Sequence, residues 1–142
     1  MDGEIAIILR LSIATIFGLL IGFERESRKK AREGEDSTFG GAGLRTHALV
    51  CLGSCLITAV GISAFPSDTA RMAASIMTGI GFLGAGTIMA TSGKIRGLTT
   101  AASIWIVATI GIAVGTGGYV ISLAATLLSL MILELHRIER KE

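Results

Sequence analysis

His47, Cys51 and Cys55 recur at every fourth residue. On a helix this spacing puts an imidazole and two sulfurs on one stripe, a donor set that suits zinc or copper. A fourth ligand is not apparent, and charged thiolates are costly among apolar residues. Small apolar filler is therefore the favoured reading of both cysteines. Gly79, Gly81 and Gly84 spell G-x-G-x-x-G. Dinucleotide binding by that motif needs a preceding strand and a βαβ unit, and the flanking sequence offers neither. Two readings of these glycines, with Gly86 beside them, then compete. One is close helix approach, a theme repeated at Gly18 with Gly22 and at Gly111 with Gly115. The other is a locally broken helix whose carbonyls face an ion. Packing is favoured. The sequence has no P-loop and no convincing pairing of nucleophile and base. No catalytic residue, cofactor or metal site is expected, and the chain is not expected to be an enzyme.

The charges that fall within or beside apolar runs are the remaining candidates. Arg10 interrupts the first run, about 8 Å from its start at 1.5 Å per residue. It serves either as an interface anchor that snorkels to the surface or as a buried charge paired with an acid, with Asp68 the candidate partner. Asp68 also suits the N-cap of the third helix, which is the favoured role. Glu24 closes the first helix, Arg45 opens the second and Arg96 precedes the fourth. All three converge on one membrane edge. They are expected to form a charge network with Glu24 between the arginines, serving as a structural clasp or as a ligand or partner contact.

The elements that must position these residues are membrane helices. Of 142 residues 51% are hydrophobic and 17% charged, against about 25% charged in soluble domains. Mean hydropathy is +0.69. Glycine is abundant at 19 residues, with one proline, Pro66. A spanning helix needs about 20 mostly apolar residues, and five runs qualify or nearly so. They cover about 5–23, 44–65, 71–91, 99–115 and 119–135, with a turn at Thr116, Gly117 and Gly118. Glu24 to Glu33 reads as a continuation of the first helix, with Glu24–Arg28 and Glu26–Lys30 at i,i+4, and Gly34 to Gly43 reads as a loop. Basic residues gather in alternate connectors. Arg25, Arg28, Lys29, Lys30, Arg32 and Arg45 follow the first helix, Lys94 and Arg96 the third, and Arg137, Arg140 and Lys141 the fifth. The opposite side carries Arg71 alone. The positive-inside rule then predicts an all-α polytopic membrane protein of five transmembrane helices, N-terminus out and C-terminus in. The basic cluster adjoins a membrane span rather than a folded basic surface, which argues against nucleic acid as a partner.

Four blocks carry a family resemblance. They are Gly22-Phe-Glu24-Arg25-Glu26, Gly43-Leu-Arg45-Thr46-His47, the run from Gly79 to Gly86, and Arg96-Gly97-Leu-Thr99-Thr100-Ala-Ala with Trp105 after it. In this order the chain resembles the MgtC/SapB family of bacterial membrane proteins over nearly its whole length. The resemblance implies a five-helix inner-membrane domain, multi-pass in the bacterial plasma membrane. It implies a role in adaptation to low magnesium and membrane-energy homeostasis and, in pathogens, in virulence. Some members resemble regulators that bind and restrain the F-type ATP synthase. Many members continue past the fifth helix into a soluble domain. This sequence ends at Glu142, so the expectation is a single transmembrane domain over 1–142.

Two functions compete. The first is a non-enzymatic regulator acting by helix packing on a membrane partner or as a homo-oligomer in the bilayer. Few intramembrane charges suit it, because solute pathways need polar residues. The second is a small transporter or channel for magnesium or another cation, using Arg10, Asp68 and the glycine-rich third helix. The candidate functional or partner-binding residues are Arg10, Glu24, Arg45, His47, Asp68, Gly79, Gly81, Gly84, Arg96, Thr99 and Thr100.

Overall fold

A computed structural model describes residues 2–32, 41–91 and 94–135, without the side chains of residues 2, 29–32, 91 and 94. Residues 34–40 of the expected loop, the Glu26–Lys30 pairing, and Arg137, Arg140 and Lys141 lie outside that description. The order is α1 (Asp2–Arg32), α2 (Leu44–Ala64), α3 (Thr69–Gly86), β1 (Met89–Thr91), β2 (Lys94–Arg96), α4 (Leu98–Gly115) and α5 (Tyr119–Glu134). Five helices stand where five were expected, and α1 continues through its charged end to Arg32.

Three helical segments are long and apolar enough on their own to cross a membrane: Gly3–Arg28, Leu44–Ala64 and Leu98–Gly115. The α5 helix is shorter at 16 residues, and α3, with Arg71 in its first turn, is less apolar. Large apolar side chains cover the outside, among them Ile5, Ile8, Phe23, Leu49, Phe82, Val120 and Ile132. Exposed apolar surface on that scale suits lipid rather than water. The fully buried residues sit where α1, α2 and α4 meet: Ala14, Ile21, Cys51, Cys55, Val107, Ala108 and Val114.

Glycine decides how closely these helices pack. A Cβ on Gly18 would stand 2.8 Å from Ala48 Cα, and one on Gly22 2.8 Å from Leu44 Cα. A Cβ on Gly111 would run into the Cys51 carbonyl oxygen, and one on Gly115 would stand 2.7 Å from Thr58 Cβ. Both glycine pairs therefore let a neighbour's backbone approach, α1 onto α2 and α4 onto α2. Ser122, Thr126 and Ser129 give α5 a narrow buried face. Their hydroxyls donate back to the carbonyls of Gly118, Ser122 and Ala125, so they need no outside partner.

The third helix departs from expectation twice. It ends at Gly86 rather than Thr91, and residues 89–96 form a short antiparallel hairpin with Met89 opposite Arg96. Thr87 closes the helix by bonding Gly84 O through both its amide and its hydroxyl. Gly97 ends the hairpin at φ +90, where its α-hydrogen faces the Thr87 carbonyl and a Cβ would collide. Nor do most of its glycines pack, although Ile76 and Ile80 join the core and Gly84 is buried. Of its glycines only Gly84 meets another helix, its Cβ position 3.7 Å from Ala101 Cβ. Gly79, Gly81 and Gly86 face open space.

Candidate functional site

The polar interior collects at the charged end of α1, where it meets the N-terminal ends of α2 and α4. The His47 ring is fully buried. Its Nδ1 lies 2.8 Å from the Gly43 carbonyl oxygen and its Nε2 2.9 Å from Ser103 Oγ. Ser103 Oγ in turn lies 2.8 Å from the Thr100 carbonyl oxygen. Arg25 Nη2 donates to Thr100 Oγ1 at 2.8 Å. Three helices are thus joined by one chain of bonds.

Proton accounting constrains that chain. Carbonyl oxygens only accept, so His47 Nδ1 carries a proton. A neutral ring then accepts at Nε2, and the single Ser103 proton is claimed by both Nε2 and the Thr100 carbonyl. A charged ring donates at Nε2 and leaves that proton on Thr100. The ring's charge state is therefore tied to the Ser103 hydroxyl rotor.

A second knot adjoins the first. Arg28 bonds Glu24 through Nε and the Leu133 carbonyl, in the last turn of α5, through Nη2. The same Nη2 stands 4.0 Å from Glu134 Oε2. A cation on the final carbonyls of a helix is favoured by its dipole, so Arg28 fastens α5 to α1. Glu24 is 9% exposed, and its Oε2 has no hydrogen-bond partner among the described residues. Gly43 abuts the Glu26 carboxylate so closely that a Cβ there would overlap it.

At the opposite end of the bundle Arg10 Nη1 donates to the Gly115 carbonyl oxygen at 2.8 Å. This caps α4 just before Gly117, which turns the chain at φ +87.

Several expected pairings are corrected. Glu24 takes Arg28, one turn along its own helix, and not Arg45 or Arg96. Both of those arginines are exposed, and the nearer i,i+4 partner costs no reach across the bundle. Arg10 takes a helix end rather than Asp68. Asp68 sits at the N-cap of α3 but makes no side-chain cap bond, and its Oδ2 lies 2.5 Å from Arg71 Nη2. Thr100 and His47 come together, while Thr99 is exposed. Among the described residues no three His, Cys, Asp or Glu are placed to share a metal ion. Cys51 and Cys55 pack against Gly18, Gly111 and Gly115. Sequence reasoning passed over Ser103, whose signal was its place one turn after Thr100. The i,i+4 spacing of Glu24 and Arg28 did announce their pair, whereas Arg25 was assigned only to the loop charge.

Fold and site together define a multi-pass, all-α membrane protein whose part-buried arginines bond helix-end carbonyls or a hydroxyl of a neighbouring helix. The sequence pattern of the MgtC family matches residues 11–141. The chain is 40% identical over 136 residues to "Putative magnesium transporter YhiD" of Escherichia coli K12, covering 89% of this chain and 59% of that protein. It is 42% identical over 123 residues to "Protein MgtC" of Salmonella typhimurium, covering 87% and 49%. It is 39% identical over 138 residues to "Protein SapB" of Bacillus subtilis, covering 90% and 55%. The chain belongs to the MgtC family. It spans about half the length of these relatives. No solved structure matches it.

Proposed function

We propose that this chain is a non-catalytic regulator in the bacterial inner membrane that serves adaptation to low magnesium by binding a membrane partner laterally, with the F-type ATP synthase the partner the family resemblance favours. The observation that carries this reading is the contrast between a closed interior and one bare face of the third helix. Inside, glycine-mediated contacts bring α1, α2 and α4 together, and the buried guanidinium groups rest on helix-end carbonyls or a neighbouring hydroxyl. Outside, Ala74, Thr78, Gly81 and Ala85 are all exposed, and their spacing puts them on one side of α3. Small side chains there let a partner helix come close. The reading takes the N-terminus as outside and the C-terminus as inside, supported by the basic residues beside the charged end of α1.

A cation transporter is the second reading. The name of the E. coli relative favours it, as does the buried Glu24 oxygen at the membrane edge. Two measurements separate the readings. A photo-crosslinker at Thr78 or Ala85, in magnesium-starved cells, is expected to form an adduct with a membrane subunit of the synthase. Purified protein in liposomes loaded with a magnesium indicator is expected to pass no more ion than empty liposomes. Protein-dependent flux, with no adduct, overturns the regulator in favour of the transporter.

A further inference from the structure

An open cleft of about 870 Å³ runs between α2 and α3. Leu49, Gly53 and Ile57 form one wall and Ser75, Gly79 and Leu83 the other. The Cβ positions of Gly53 and Gly79 meet nothing within 4 Å, so the walls stand apart where two helices could have closed up. From Leu49 to Phe65 the cleft follows α2 for about 24 Å at 1.5 Å per residue, most of a hydrocarbon core of about 30 Å. Its charged groups lie at one end only. There Asp68 and Arg71 form a pair beside Phe65, with 76% of the Arg71 side chain exposed. Arg71 meets Asp68 through Nη2, and its Nη1 and Nε make no bond among the described residues.

We propose that this cleft holds a phosphatidylethanolamine molecule, with acyl chain between α2 and α3, phosphate on Arg71 and ammonium on Asp68. The charge pattern selects the headgroup. An adjacent cation and anion match a zwitterion, whereas an anionic lipid would face repulsion from Asp68. A choline headgroup has no N–H to donate to the carboxylate, and ethanolamine has three. The cleft is open along its length and lined mainly by apolar side chains, which suits an acyl chain. The partner face of α3 (Ala74, Thr78, Gly81 and Ala85) lies on the other flank, so lipid and protein partner do not compete. The lipid then acts as a wedge that sets how far α3 stands from α2.

The test is native mass spectrometry of the full chain taken from bilayers holding phosphatidylethanolamine, phosphatidylcholine and phosphatidylglycerol in equal amounts. The expected result is a single retained lipid, phosphatidylethanolamine, about tenfold over either competitor, the effect of one charge-assisted hydrogen bond. The Cβ of Gly79→Leu meets nothing within 4 Å and its side chain enters the cleft, so the variant should remove the adduct without lowering the melting temperature. Asp68→Asn should bring phosphatidylethanolamine down to the phosphatidylcholine level, and Arg71→Gln should lower both. Equal retention of the two zwitterionic lipids by the native chain, a preference for phosphatidylglycerol, or no adduct would overturn the proposal. So would an adduct that survives Gly79→Leu, or a dimer of this chain that disappears in that variant.

Discussion

Gly111→Ala adds one methyl group, and its cost follows from where that methyl goes. The new Cβ would be driven into the Cys51 carbonyl oxygen and would stand 2.9 Å from Ser54 Cβ. Carbon atoms in ordinary contact sit about 3.5–4.0 Å apart, so α4 must retreat from α2 by roughly 1 Å. Neither obstacle is the far end of a flexible chain: one is backbone and the other is the first side-chain atom of a buried serine. Overpacking of this kind costs about 1–3 kcal/mol. Alanine also favours a helix over glycine by about 1 kcal/mol, which works the other way. Gly81→Ala supplies the control, because the same methyl there meets nothing within 4 Å and carries the same helical gain. The difference between the two variants is therefore the packing term alone. At about 4 °C per kcal/mol for a chain of this size, Gly111→Ala should melt about 4–12 °C below Gly81→Ala in detergent, followed by circular dichroism. If Gly111→Ala melts with or above Gly81→Ala, the close α2–α4 approach is wrong. By the same logic Gly81→Leu leaves the fold standing, against the sequence expectation for the third helix.

Glu24→Gln and Arg28→Gln should each lower the melting temperature and couple in a double-mutant cycle by about 0.5–3 kcal/mol, whereas Glu24→Gln with Arg45→Gln should be additive; coupling to Arg45 instead would restore the cross-bundle network. Arg10→Gln should destabilise by about 1–2 kcal/mol through loss of a charged donor to Gly115 O, and a melting temperature equal to the native chain's would show that cap to be idle. Gly97→Ala should cost at least about 1–2 kcal/mol because alanine resists φ +90 even before its Cβ meets Thr87, and native-like stability would remove the hairpin's demand for glycine. A reporter fused to the C-terminus should be active only when it reads cytoplasmic residence; activity outside would reverse the orientation.

Helix ends were legible wherever an apolar run met a turn signal. Gly43 before Leu44, Pro66 after α2 and the Thr116-Gly117-Gly118 turn all marked their boundaries. The end of α3 was not, because Ile88, Met89 and Ala90 prolong the apolar run into a hairpin whose described side chains are exposed. The dipeptide Ser92-Gly93 was the available sign of it. Glycine spacing identified Gly18 with Gly22 and Gly111 with Gly115 as close contacts. The same spacing misled at Gly79 and Gly81, since a pattern along one helix does not say whether another helix lies opposite. In the charge cluster the i,i+4 pair Glu24–Arg28 was legible, but the wiring of Glu24 to Arg45 and Arg96 was wrong. Convergence on an edge fixes only depth, while the pairing is settled by rotation about each helix axis. His47 drew notice as a metal ligand, and the hydroxyl it meets lies 56 residues away, a relation no local pattern reveals.

The first helix holds the ends of the last two. Its Arg10 donates to the final carbonyl of α4 and its Arg28 to a last-turn carbonyl of α5, at opposite ends of the bundle. Eighteen residues separate the arginines, about 27 Å of helix, close to the thickness of the hydrocarbon layer itself. During synthesis α1 enters the bilayer long before either carbonyl exists. Arg10 therefore waits for the end of α4, and Arg28, already paired with Glu24 on its own helix, gains its carbonyl only after α5 has been inserted. Biogenesis thus has a natural checkpoint. A chain arrested before its last helix leaves Arg28 held by Glu24 alone, and a span of the wrong length cannot fasten both faces at once.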